Sequence, residues 1–164
     1  MAAPRPPTDR SETDDSGLSD DRPYDVTRHL RRLVPQSLAR LGLSVDVATD
    51  RREYAVGETV AIEIRITNRL PLPVEVATEG PRIWGWTVDG LPAAREERVH
   101  TRGPPNTLAL RARETMKIRR SWDGRFRRDG NPTRWVAAEP GEYVIEAFVA
   151  TATPRRDQTR VRLR

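Results

Sequence analysis

The stretch Val60-Ala61-Ile62-Glu63-Ile64-Arg65-Ile66-Thr67-Asn68 decides the fold. Four β-branched residues stand at every second position, and Ala61, Glu63, Arg65 and Thr67 stand between them. A period of two sends the two sets to opposite faces of an extended strand, one built for a core and one for water. Asn68 ends the run, because its side chain can bond nearby backbone, and Pro71 and Pro73 bound the loop that follows.

Working outward, the same alternation recurs. Leu43, Val45 and Val47 alternate with Ser44, Asp46 and Ala48. Tyr143, Ile145, Ala147 and Val149 alternate with Val144, Glu146, Phe148 and Ala150, and the apolar residues on both faces mark a central strand. Shorter extended runs are predicted at Val74–Thr78, Arg82–Val88, Leu108–Arg113, Thr115–Trp122, Trp135–Ala137 and Gln158–Leu163. Met116, Ile118 and Trp122 share one face of their run, while Arg111, Arg113, Lys117 and Arg119 share the opposite parity. Turns are predicted at Tyr54–Glu58, at Asp89-Gly90 and at Pro140-Gly141. The Pro- and Gly-bearing segments 91–106 and 123–134 read as long loops, the first with at most one short strand near Val99. Seven to eight short strands punctuated in this way predict an all-β, immunoglobulin-like antiparallel β-sandwich over residues 43–164. Strands never alternate with long helical stretches, which excludes a doubly wound α/β fold. With no cysteine to staple the sheets, Trp84, Trp86, Trp122 and Trp135 are expected to fill much of the core.

Two segments precede the sandwich. Residues 1–24 are rich in Pro, Ser, Thr and Asp and are expected to be disordered, since they cannot bury enough surface to offset the entropy of ordering. Residues 25–42 carry Val26, Leu30, Leu33, Val34, Leu38 and Leu41 at helical spacing, with Arg28, Arg31, Arg32 and Arg40 largely between them. They predict a short basic amphipathic helix, capped by Asp25 or Thr27, interrupted near Pro35 and ended at Gly42, that packs on the domain behind it.

The 164-residue chain is one domain's length. Of its 29 basic residues only Lys117 is lysine. Residues 1–24 hold three arginines against six acids, so of the net +5 the remainder of the chain holds +8. No run of about 18 apolar residues predicts a transmembrane helix, and the N-terminus has no apolar core of a secretory signal. A cytoplasmic location is therefore expected. Without cysteine, and with only His29 and His100, thiolate sites and multi-histidine metal sites are out of reach. Neither histidine accompanies a Gly-x-Ser-x-Gly elbow, and no phosphate-cradling glycine pattern is present. The carboxylate pairs Glu96-Glu97 and Asp14-Asp15 are sequence neighbours without the opposed geometry of a glycosidase, and Asp20-Asp21 lacks calcium-loop spacing. No enzyme activity and no cofactor are expected.

Three motifs carry a resemblance: Tyr54-x-x-Gly57-Glu58-x-Val60-x-Ile62-x-Ile64-x-Ile66-Thr67-Asn68, then Met116-x-Ile118-x-x-x-Trp122-Asp123-Gly124, then Glu139-Pro140-Gly141-Glu142-Tyr143-x-Ile145-x-Ala147. Their order and spacing over roughly residues 45–150 resemble the intracellular proteinase inhibitor family of the BsuPI type, with Trp122-Asp123-Gly124 the most telling. The resemblance implies a single immunoglobulin-like sandwich without disulfides and, as partner, an intracellular serine protease. The residues before Leu43 fall outside the pattern, and the Asp123–Arg134 loop departs from it in its arginine content. Independently of the family, Gly57 and Gly141 are expected to supply tight turns or positive φ, and Asn68 to close its strand. Trp122 is expected in the core, and Tyr143 is placed to form a tyrosine corner.

Segment 111–134 is the most unusual stretch, with nine basic residues against three acids and with Trp122, Phe126 and the adjoining Trp135 interleaved. The leading expectation is a protein-binding module using sandwich-end loops, with Arg119, Arg120, Arg125, Arg127 and Arg128 as partner-binding candidates. Arg125 or Arg127 would enter a protease's specificity pocket if the family likeness extends to activity. Two alternatives are nucleic-acid or anionic-surface binding through the same arginines and a structural sandwich that self-associates through a sheet edge.

Overall fold

A computed structural model of the chain describes residues 34–91, 103–128 and 134–164. The expected tail and the start of the expected helix lie outside these residues. The helix is described as α1, Gln36–Gly42. It begins directly after Pro35, where a missing N–H costs nothing because first-turn donors have no helical partner. The expected apolar face is corrected by the structure. Ala39 and Gly42 face inward, while Leu38 and Leu41 are 52% and 65% exposed. Close approach explains the choice, since a Cβ at Gly42 would stand 2.5 Å from Leu70 Cγ, so only the small side of the helix fits.

Among the described residues eleven short strands follow, more than the seven to eight expected, since β2 (Glu53–Tyr54) and β8 (Arg125–Arg128) extend into stretches read as turn and loop. Three form one layer: β1 (Leu43–Thr49), β3 (Val60–Asn68) and β7 (Thr115–Trp122), in the order β1-β3-β7. Four form the facing layer: β2 (Glu53–Tyr54), β11 (Arg155–Leu163), β10 (Gly141–Val149) and β5 (Trp84–Val88), in the order β2-β11-β10-β5. Pairing is antiparallel except between β2 and β11. Two further ribbons stand apart in the pairing, β4 (Val74–Ala77) with β6 (Thr107–Leu110) and β8 (Arg125–Arg128) with β9 (Arg134–Ala137). The architecture is the expected all-β immunoglobulin-like sandwich.

Side-chain parity follows the sequence pattern closely. Val60, Ile62, Ile64 and Ile66 on β3 meet Ile145, Ala147 and Val149 on β10 in the buried layer, with Val161 and Leu163 from β11 beside them. Trp86 and Trp122 are the largest fully buried side chains. Trp84 is half-buried, however, and Trp135 is exposed, which corrects the expectation that all four tryptophans fill the core. Along one side the layers meet where the Val47 N–H donates to Asp157 Oδ2 at 2.9 Å. On the other side, the Arg120 guanidinium on β7 lies over the Trp84 ring of β5 at 4.8 Å. Asn68 is fully buried at the end of β3, bonding Leu72 O, Arg111 O and the Leu70 N–H. Gly141 opens β10 without a positive φ; among the described residues the left-handed glycines are Gly57, Gly90 and Gly124. The first residue of a strand needs no left-handed conformation, whereas the tight turn after β7 does.

Candidate functional site

One end of the sandwich gathers the close of β7, the β8–β9 hairpin and the start of β10. Trp122 ends β7 with its indole 1% exposed. Its ring meets Phe126 at 5.4 Å and Tyr143 at 5.2 Å between centroids, and Phe126 meets Tyr143 at 5.9 Å. All three contacts are tilted, with centroid separations in the range of interacting aromatic pairs. The Trp122 Nε1–H donates to Arg125 O at 3.1 Å. Gly124, at φ +68°, turns the chain out of β7, and the Ala138 N–H closes the hairpin base on Gly124 O at 2.7 Å. The Tyr143 hydroxyl donates to Glu139 O at 2.7 Å, which is the tyrosine corner anticipated from the sequence. Partial burial, aided by the nearby Asp89 charge, holds the Tyr143 phenol above its ordinary value.

The expected loop 123–134 is therefore corrected to a paired ribbon over Arg125–Arg128 and Arg134–Ala137; residues 129–133 lie outside the described residues. Its register sets Arg125 opposite Ala137, Phe126 opposite Val136, Arg127 opposite Trp135 and Arg128 opposite Arg134. Phe126 is the root, reaching the Trp122–Tyr143 cluster. The row of opposite parity holds Arg125, Arg127, Trp135 and Ala137. Every residue of β9 is exposed, Trp135 at 52% and Val136 at 39%. The two strands carry four arginines and no acid. Two of them, Arg128 and Arg134, stand directly opposite in the register.

The other candidates are dispersed. Arg119 lies exposed on the outer face of β7, opposite Glu63. A hydrogen bond from Arg65 Nε at 2.6 Å holds the Glu63 carboxyl below its ordinary value, with help from the charges of Arg65, Lys117 and Arg119. Arg120 is engaged with Trp84 and donates to Arg119 O at 2.8 Å. Arg111 and Arg113 flank the turn before β7, on the order of 25 Å from the hairpin at about 3.4 Å per strand residue. The basic segment is continuous in sequence and divided in space, and among its described residues the hairpin strands set arginines beside an exposed tryptophan.

The turn at Gly57, φ +83°, adjoins the hairpin base, since a Cβ on Gly124 would lie 3.9 Å from Gly57 N. Behind it, the Tyr54 hydroxyl donates to Asp50 Oδ1 at 2.5 Å and accepts from the Arg51 N–H at 3.0 Å. The Tyr54 bond depresses the Asp50 carboxyl, while burial raises the Tyr54 phenol. Arg51 also pairs with Glu58 at 2.5 Å. The polar groups of this cluster face one another, which marks it as a brace for the turn.

His29 and His100 fall outside the described residues. Among the described residues, no group of three or more His, Cys, Asp or Glu side chains is placed to hold a metal, and no helix is long and apolar enough to cross a membrane. The exposure of Trp135 had no sequence signal of its own, because alternation with one polar neighbour fits either face. The pairing of β8 with β9 had a weak signal in the apolar parity of Phe126 and Val136.

The family described as "Family of unknown function (DUF7974)" matches residues 31–164 of the chain. Among solved structures, the chain is similar to a β-glucosidase from Listeria innocua in complex with isofagomine, at TM-score 0.45 and 15% identity, covering 74% of this chain and 16% of that one. It is similar to the β-glucosidase EmGH1 from Erythrobacter marinus, at TM-score 0.46 and 16% identity, covering 74% and 15%. It is also similar to the alkylpurine DNA glycosylase AlkC of Pseudomonas fluorescens bound to DNA containing an abasic site analog, at TM-score 0.46 and 17% identity, covering 85% and 37%. In each case the chain corresponds to a minor part of a longer protein. No curated protein matches.

Proposed function

We propose that this chain, which belongs to the DUF7974 family of unknown function, is a non-enzymatic, cytoplasmic protein-binding module that holds an acidic surface of a partner protein on its β8–β9 hairpin. One observation carries the reading: a ribbon rooted by Phe126 against the buried Trp122 ring displays Trp135 half to solvent on two strands that carry four arginines and no acid. Tryptophan and arginine are the side chains most often found to dominate protein interfaces, and a rooted ribbon presents them with little ordering cost.

The partner class implied by the inhibitor resemblance is an intracellular serine protease. Under that version Arg125 or Arg127 enters a pocket with a carboxylate at its base. The test is affinity capture from native cytosol with the wild-type chain, Trp135→Ala and the double variant Arg125→Ala/Arg127→Ala, followed by reconstitution with the purified partner. One dominant acidic protein, bound at least tenfold more weakly by both variants, is the expected result. Equal capture by all three overturns the assignment to the hairpin. A parallel assay against trypsin-like and subtilisin-like proteases tests the narrower version, and cleavage of the chain without inhibition rejects it. A single-stranded oligonucleotide bound more tightly than any protein, with affinity falling steeply in salt, would replace the protein reading with the nucleic-acid one.

A further inference from the structure

Resting on the hairpin as the docking element, we infer that the partner engages it by adding an extended, acid-bearing strand to the outer edge of β9. The ladder arithmetic identifies that edge. The Ala138 N–H points to Gly124 O across the hairpin. Backbone groups of alternate residues on a strand point the same way, so Val136 and Arg134 also aim at β8, and Ala137 and Trp135 aim away from it. The other edge of the ribbon confirms the alternation. Arg125 faces Ala137 in the register, and its carbonyl, turned outward from β8, is taken by the Trp122 indole. The β8 edge is thus occupied at its base. Among the described residues no backbone hydrogen bond reaches the outward groups of Trp135 or Ala137, and β9 has no second strand neighbour.

An exposed edge is a template for another strand, and proteins that must avoid such pairing place charge on it. Here the charge is of one sign only. Four arginines on eight strand residues repel a second copy of the same ribbon and attract an acidic segment. An added strand whose glutamates share the Trp135 row comes within reach of Arg125 and Arg127 one strand away, at about 4.8 Å per strand. Its alternate residues fall beside Val136, whose half-exposed side chain suits a β-branched neighbour. Main-chain bonds supply the affinity and the alternating side chains the selectivity, as in other strand-addition complexes.

The test uses the full chain and a fluorescent peptide, Thr-Glu-Val-Glu-Val-Glu-Thr, read by anisotropy. A peptide with Lys in place of Glu is expected to bind at least tenfold more weakly. Two further peptides carry backbone N-methyl groups on the odd or on the even residues. An added strand bonds through one set only, so one methylated peptide should lose at least tenfold and the other less than twofold. Ala137→Pro removes an outward donor without removing a β8–β9 bond, and should weaken binding at least fivefold at unchanged melting temperature. Equal binding of both methylated peptides, with Ala137→Pro within twofold of wild type, overturns strand addition. If Trp135→Ala and Arg125→Ala/Arg127→Ala still weaken that binding, docking through the hairpin's side chains stands. Absence of peptide binding up to millimolar concentration also rejects strand addition, and the capture experiment with the arginine variants then decides the hairpin reading separately.

Discussion

Two ribbons among the described residues share a construction and have opposite fates. Both β4–β6 and β8–β9 pair two four-residue strands antiparallel, outside the two main layers. In β4–β6, Val74, Val76, Leu108 and Leu110 are all buried, and the Gln36 amide of α1 bonds Glu75 O at 2.8 Å and the Ala77 N–H at 3.2 Å along β4. In β8–β9 the row that could have done the same reads Phe126, Arg128, Arg134 and Val136; Phe126 packs against the core, while Arg134 and Val136 are exposed. Backbone pairing makes a ribbon; the composition of a single parity row decides whether it becomes scaffold or display.

The harshest way to break the comparison is to remove the hairpin's foundation. Trp122 is shared by the core and the hairpin, through its rings' contacts with Phe126 and Tyr143 and its bond to Arg125 O. Trp122→Ala should cost about 3–5 kcal/mol in urea unfolding, as fully buried aromatics do. Proteolysis within 125–137 should accelerate by more than global unfolding explains. A loss below about 1 kcal/mol would mean that the hairpin and core are not coupled through this ring.

A smaller effect is expected at the scaffold ribbon's root. Asn68 joins the end of β3 to both flanks of β4–β6: Nδ2 donates to Leu72 O at 2.8 Å and Arg111 O at 2.7 Å, and Oδ1 accepts from the Leu70 N–H at 3.0 Å. Asn68→Ala leaves these buried groups unpaired and should cost about 1–3 kcal/mol. Asn68→Asp should cost more, because a carboxylate has no donor to offer two carbonyls. Chemical denaturation of the three proteins orders them, and an aspartate variant as stable as wild type contradicts the bonding pattern. Hairpin-dependent binding should survive Asn68→Ala under native conditions, since nothing in this network reaches β8 or β9.

The comparison also shows what a sequence can and cannot reveal. The strands of the two layers were legible because each carries an unbroken period of two, β3 most plainly. The Asp89-Gly90 turn was legible because both residues take positive φ, 47° and 74°, and the Val88 and Leu91 backbones bond reciprocally at 2.9 Å. Tyr143 was legible from its place just after the Pro140-Gly141 turn. Three features were not. The hairpin was hidden because Gly130 and Pro132 dominate the reading of 123–134 while arginines break its apolar row. The inward side of α1 was hidden because apolar spacing favours leucine, whereas the close approach of Leu70 to Gly42 selects the small side. Of the partner-binding candidates, Arg125, Arg127 and Arg128 fall on the hairpin; Arg120 is turned onto Trp84 and Arg119 onto a sheet face, and only cross-layer geometry separates them.

The smallest effect sharpens the contrast most. Trp122 lies just before the hairpin and Trp135 within it, yet one is 1% exposed and the other 52%. Trp135 stands opposite Arg127 on the parity row away from Phe126, so its removal opens no cavity in the aromatic cluster. Trp135→Ala should therefore change unfolding free energy by no more than about 0.5 kcal/mol, the range of ordinary surface substitutions. Urea denaturation followed by far-UV circular dichroism measures this without relying on the lost indole. A loss of about 2 kcal/mol or more would show that Trp135 supports the fold, and its exposure would then say nothing about a partner. With stability unchanged, the large apolar ring among arginines has no structural task, and whatever it contributes must be made with another molecule.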